Sequence, residues 1–419
     1  MKGYVRGKMR MNVEGDRLSS LPDDLIHKIL SFCSIKDAIG TSVLSSRWEY
    51  VWTSMPYLSF SSEDFDTLSA FSKFVNHVLS GRNNLTEVYS VNLCFRGKAS
   101  RTFVKRNLSY AFSHNIQQLN VVYLLEKNIE FPLSPISSQS LKHLSLSTDI
   151  SQRSRGKFGS CFVTSWSTWE LPSLTPLDLH SVTLCVDNCV GIFSKFANLK
   201  NLTIKHFKTS GSNDFSICHP RLSNLTLENS HDDKVEVVNV VAPQLENLTI
   251  KSFHAVHIMI SAPNLTYLFY KGPHPLHLST EGFHSLEKAD IYVSRPKDAD
   301  AHQLFCLLQQ LHNVRYLTLS LEIVEIISLS TDLIIHQPSP FVNLKSLNIY
   351  PQIIGYWWNQ ARKKETMSTK LKSYLLDSSP GCSFTMVLRE VFTSLHFFYI
   401  DMHYDYRLSC EKEKENHDM

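Results

Sequence analysis

LKNLTI (199–204), LSNLTL (222–227) and LENLTI (245–250) are one hexapeptide written three times at 23-residue steps. In an extended chain alternate side chains share a face. The fourth and sixth positions therefore point one way and the third and fifth the other. One such strand cannot bury its aliphatic row alone, and stability has to come from stacking copies of itself.

The same L-x-x-L-x-L frame, with other aliphatics admitted, extends in both directions. Upstream it is met at Val88/Val91/Leu93, Ile116/Leu119/Val121, Leu141/Leu144/Leu146 and Leu174/Leu177/Leu179. Downstream it continues at Leu265/Leu268/Tyr270, Leu286/Ala289/Ile291, Val314/Leu317/Leu319 and Leu344/Leu347/Ile349. Steps between first positions are 28, 25, 33, 25, 23, 23, 20, 21, 28 and 30 residues, centred on the roughly 20–29-residue period of leucine-rich repeats. The pattern predicts an α/β chain whose residues 85–350 form a solenoid, with parallel strands on its concave face and short irregular returns. Phe215–Cys218, Val235–Val241 and His254–Ile260 read as extended returns. The Ala-Pro steps at 242–243 and 262–263 break the chain just before the next strand.

Residues 16–62 have a different texture. Pro22 fits the first turn of a helix, Asp23 and Asp24 follow at its positive end, and Leu25, Ile26, Ile29, Leu30 and Cys33 recur at helical spacing. Ser34-x-x-Asp37 and Ser46-x-x-Glu49 are two further capping patterns, so three short helices are expected. A unit of about 40 residues is marginal by itself, and Arg47, Trp48 and Trp52 are residue types that dominate interface hot spots. Leu68, Phe71, Phe74, Val75, Val78 and Leu79 then form an amphipathic stripe, which predicts a helix within a 63–84 linker that caps the array.

These residues carry a family resemblance. LPDDLI (21–26), ILSF (29–32), KDA (36–38) and VLSSRW (43–48), with Trp52 beyond, resemble the F-box of plant F-box/leucine-rich-repeat proteins. The resemblance implies docking to the Skp-type adaptor of an SCF cullin–RING ubiquitin ligase, and through it to cullin and RING subunits. By position, Leu21, Pro22, Leu25, Ile29, Leu30, Val43, Leu44 and Trp48 would build or present that docking surface. Some relatives continue into an FBD region. Leu375–Pro380 resembles its helix-to-strand step, whereas Glu390–Cys410 departs from it, so residues 351–410 are expected to be a divergent or truncated cap. Residues 1–15 and the charged 411–419 are expected to be disordered.

Enzymatic signatures are missing from the sequence. There is no G-x-S-x-G, no phosphate-binding G-x-x-x-x-G-K-[ST] and no H-E-x-x-H, and 14 glycines leave few candidates for phosphate-cradling loops. Cys185 and Cys189 are a close pair without a second pair or placed histidines, a weak zinc signal. Nine scattered cysteines suit reduced thiols in nucleus or cytoplasm. A net charge of +3 makes no case for nucleic acid, and no apolar run approaches membrane length. The expectation is an intracellular, non-catalytic chain with no cofactor, whose repeats hold a protein target. The six N-x-[ST] sequons, four of them from Asn201 onward, are read as by-products of the repeat frame.

Outward positions of the strands should carry recognition. They read Asn201/Thr203, Asn224/Thr226 and Asn247/Thr249, a polar ladder able to hydrogen-bond along itself. Then come Tyr267/Phe269, Lys288/Asp290 and Tyr316/Thr318. Exposed aromatics in a concavity are anchors for a partner, and Tyr267, Phe269, Lys288, Asp290 and Tyr316 are the expected target contacts. A repeat scaffold outside any ligase, and a hormone-sensing receptor with a small molecule in the concavity, are the alternatives.

Overall fold

The computed structural model describes residues 17–96, 101–124, 137–149, 162–164, 169–185, 193–210, 214–229, 235–251, 257–276, 283–335, 337–351 and 367–387. The segments 1–15 and 411–419, much of 351–410 including Glu390–Cys410, and Cys189 lie outside the described residues. Two compact units are distinguished, Met1–Thr183 with Lys195–Leu199, and Leu184–Ser194 with Lys200–Met419.

The first unit begins with α1 (Asp23–Leu30), entered through Pro22 in an extended conformation with Asp23 and Asp24 in the first turn. Next is α2 (Ile35–Gly40), capped by Ser34, whose hydroxyl accepts from the Asp37 N–H at 3.2 Å and donates to the Asp37 carboxylate at 2.7 Å. The third expected helix does not form as an α-helix. Residues 46–50 make turns and Val51–Ser54 a single 3₁₀ turn, because the Arg47 and Trp48 side chains at the expected cap are drawn back to the start of the unit. After β1 (Tyr57–Ser61) comes α3 (Leu68–Gly81), capped by Thr67 and burying Phe71, Val75, Val78 and Leu79. It lies within the 63–84 segment in which the sequence predicts a helix.

The remaining strands of this unit are β2 (Ser90–Arg96), β3 (Gln118–Leu124), β4 (His143–Asp149), β5 (Phe162–Thr164) and β6 (Pro176–His180), with α4 (Arg101–Ser113) between β2 and β3. β1, β2, β3, β4 and β6 pair in parallel in that order. β1 is the surprise: it lacks the leucine frame, sits inside the segment read as the helical plug, and starts the repeat sheet. β7 (Val182–Cys185) follows.

The second unit holds β8 (Asn201–Lys205), β9 (Lys208–Ser210), β10 (Asp214–Cys218), β11 (Asn224–Glu228), β12 (Val237–Val241), β13 (Asn247–Lys251), β14 (His257–Ser261), β15 (Tyr267–Gly272) and β16 (Lys288–Val293). These are followed by α5 (Ala301–Gln310), β17 (Tyr316–Ser320), α6 (Leu321–Leu329), β18 (Ser346–Tyr350), α7 (Thr369–Leu376) and β19 (Ser383–Met386). β8, β11, β13, β15, β16, β17, β18 and β19 form one parallel ladder. Its register aligns Leu202, Leu225, Leu248, Leu268, Ala289, Leu317 and Leu347 as mutual partners. β10, β12 and β14 form a second parallel sheet from the extended returns.

The core lies between them. The aligned leucines, the row Ile204/Leu227/Ile250, and Phe215, Ile217, Val238, Val240, Ile258 and Ile260 of the second sheet are all buried, each full burial contributing about 1.5–3 kcal/mol. The Ala-Pro steps turn the chain: Ala242 N–H donates to Ser261 C=O at 3.0 Å, and Leu245 N–H to Ala242 C=O at 3.0 Å. Tyr270 takes an aliphatic slot and satisfies its hydroxyl by donating to His274 C=O at 2.7 Å. Gly272 allows this, since a Cβ there would collide with that hydroxyl. The helical returns α4, α5 and α6 sit in steps of 28, 28 and 30 residues, whereas the 20–23-residue steps return through strands or turns.

Candidate functional site

Both faces of α1 are apolar, and the fold uses them differently. Ile26 and Leu30 point inward, with Ile35, Ala38, Trp48 and Val51 also buried. Leu25 and Ile29 stand outward, 51% and 45% exposed. Phe32 just past the helix (74%), Val43 (89%) and Leu44 (59%) are more open still. Leu21 is half-buried and Pro22 exposed.

The unit is closed by its two ends. The Trp48 indole N–H donates to Ser19 Oγ at 2.9 Å, and Ser19 and Ser45 hydroxyls meet at 3.1 Å. The Arg47 guanidinium donates to the carbonyls of Ser19 and Leu21 and pairs with Asp23 at 2.7 Å. That hydrogen bond, and then the guanidinium charge, hold the Asp23 carboxyl below the usual aspartate value. The polar groups of Arg47 and Trp48 are thus engaged in internal ties. Trp52 is likewise half-covered, close against Gly81 at the end of α3.

In the second unit, the Asn nitrogens link neighbouring strands on the outward face. Asn224 Nδ2 donates to Asn201 Oδ1 at 2.6 Å and Asn247 Nδ2 to Asn224 Oδ1 at 2.7 Å. This is the self-bonded ladder the sequence suggested. From β15 onward the face changes. Tyr267 donates to Asp290 Oδ2 at 2.8 Å, Lys288 Nζ lies 3.4 Å from the same oxygen, and that ammonium sits 4.9 Å over the Tyr267 ring. Lys251 Nζ lies 5.4 Å over the Phe269 ring, which meets Tyr292 at 5.7 Å between centroids. Tyr316 is 45% exposed. Burial and then the Asp290 bond raise the Tyr267 phenol far above its ordinary value. Burial, followed by the charges of Asp290 and Tyr350, pushes Tyr292 up to about 12.

The F-box domain family matches residues 18–60. F-box/LRR-repeat protein 25 of Arabidopsis thaliana is 32% identical over 192 residues, 45% of this chain and 67% of that protein. The chain belongs to the F-box/LRR-repeat family. A second Arabidopsis F-box/LRR-repeat protein is 30% identical over 207 residues, 48% of this chain and 40% of its own length. An Arabidopsis F-box/FBD/LRR-repeat protein is 30% identical over 202 residues, 45% of this chain and 38% of its own. The chain thus spans well under half the length of these last two relatives.

Set on the F-box, the eight expected docking residues divide by exposure. Leu25, Ile29, Val43, Leu44 and Pro22 are open, Leu21 is intermediate, and Leu30 and Trp48 are buried. Phe32 was quoted in the motif but not among the contacts, although it is more exposed than Leu25. On the repeats, Tyr267, Phe269, Lys288 and Asp290 are brought together. Asp290 is buried and bonded to both Tyr267 and Lys288 rather than open to solvent. Tyr292 was missed because it falls just beyond the L-x-x-L-x-L frame, on the residue after Ile291. Among the described residues no helix is long and apolar enough to cross a membrane.

Proposed function

We propose that the chain is the substrate-recognition subunit of an SCF cullin–RING ubiquitin ligase. The observation that carries this is the exposure of Leu25, Ile29, Phe32, Val43 and Leu44 within a matched F-box. Apolar side chains left open on so small a unit are a docking surface in want of a partner, and the F-box match supports a Skp-type adaptor in that place. The repeats then hold a protein target through Tyr267, Phe269, Lys288 and Tyr316, with Asp290 beneath. No bond is made or broken by this chain. It raises the effective concentration of the target beside the ubiquitin-conjugating enzyme, as any tether between two binding events does.

The experiment is co-expression of the full chain with a Skp-type adaptor, followed by affinity purification under proteasome inhibition. Tyr267→Ala combined with Phe269→Ala should abolish target capture, a loss of at least about thirtyfold for two anchors, and leave adaptor recovery unchanged. Undiminished target capture by the double variant refutes the assignment of the repeat face.

A further inference from the structure

The outward face of the repeat sheet carries an imbalance of charge at one place. Lys251 and Lys271 are register partners on β13 and β15, on strands about 4.8 Å apart. Among the described residues neither has an ion-pair partner. Lys288 is different, because Asp290 answers it at 3.4 Å. Glu228 is the register partner of Lys251 on its other side, but that carboxylate also faces His206, 3.9 Å away. Lys271 is exposed as a residue, yet its ammonium lies close enough to the sheet that lost hydration, and then the Lys251 charge, draw it below the ordinary lysine value, with Glu228 opposing.

Beside this pair lies an aromatic floor, Phe269 against Tyr292, with the Lys251 ammonium already over the Phe269 ring. Two adjacent cations at the rim of an aromatic platform complement a carboxylate next to an apolar side chain. No arginine occurs in the strands from β8 to β16 of this ladder, so the planar fork that favours phosphate is missing. We propose that the target segment held here is acidic: an Asp or Glu side chain seats between Lys251 and Lys271, and a neighbouring aromatic or aliphatic side chain of the same segment covers Phe269 and Tyr292. This rests on the reading of the repeat face as the target-binding surface.

The test pans a random dodecapeptide display library against the full chain, its Lys251→Glu/Lys271→Glu variant and its Tyr267→Ala/Phe269→Ala variant, each checked for an unchanged melting temperature. The wild type should enrich peptides with Asp or Glu beside an aromatic or aliphatic residue. Synthetic copies should lose about tenfold or more in affinity on charge reversal, and weaken as salt is raised. Selected peptides without acidic residues, or affinity indifferent to charge reversal, overturn the proposal. If those peptides still depend on Tyr267 and Phe269, the target-face reading survives without it; if they depend on neither, or nothing is enriched, both fail. Tighter binding, by more than about tenfold, when phosphoserine replaces the acidic residue overturns the carboxylate assignment in favour of a phosphate.

Discussion

The F-box and the repeat array handle apolar side chains in opposite ways. Between Leu18 and Tyr50 the chain exposes Leu18, Leu25, Ile29, Phe32, Val43, Leu44 and Tyr50, while from β8 to β16 Met259 is the only large apolar side chain exposed among the described residues. A stack of repeats finds partners for its aliphatics in the next copy of itself, so its outward face is free to be polar. A short helical unit has no next copy. It closes on Ile26, Leu30, Trp48 and Val51 and leaves the other side of α1 open. The lesson is one of division: in the array apolar burial makes the fold and leaves polar and aromatic rows outward, while the F-box leaves apolar side chains outward, and it is on these two surfaces that the proposed function rests.

That division can be broken most forcefully in the array. Leu248 is fully buried in the middle of the ladder, and Leu248→Asp should cost more than about 4 kcal/mol and unfold the second unit. The same substitution at Val43 should move thermal unfolding by no more than about 0.5 kcal/mol. Equal destabilisation at the two sites would erase the contrast. A smaller effect comes from the polar ladder. Asn224 is bonded on both sides, and Asn224→Ala should cost about 1–2 kcal/mol by chemical denaturation, with adaptor binding untouched. The smallest concerns the tie that closes the F-box. The Asp23 carboxyl, held low by Arg47, contributes stability that is present above the ordinary aspartate value of about 3.9 and lost as pH falls through its lower folded value. Titration by NMR should place Asp23 below that ordinary value and return it there in Arg47→Ala. A pair this exposed changes overall stability little.

Much of the array was legible because a two-residue period reports burial directly. All eleven L-x-x-L-x-L frames became strands of the main ladders, with the fourth and sixth positions buried in every case. β1 and β19 were not legible, because YLSFS and SFTM lack the leading leucine and take their place only by pairing with β2 and β18. α5 and α6 went unread although they fill the long steps before and after β17. On the F-box, helical spacing places apolar residues on both sides of α1, and spacing alone cannot tell Leu25/Ile29 from Ile26/Leu30. Only the tertiary ties from Ser19, Arg47 and Trp48 decide which side faces in. The aromatic row was visible at Tyr267, Phe269 and Tyr316, but the burial of Asp290 under Tyr267 and Lys288 needed coordinates.

The most direct measurement of the central claim is binding of a purified Skp-type adaptor to the full chain by titration calorimetry. It compares wild type, Val43→Asp with Leu44→Asp, and Tyr267→Ala with Phe269→Ala. The F-box pair should weaken adaptor binding at least about thirtyfold at an unchanged melting temperature, and the repeat pair should leave it intact. Full-strength adaptor binding by a folded Val43→Asp/Leu44→Asp chain would contradict it.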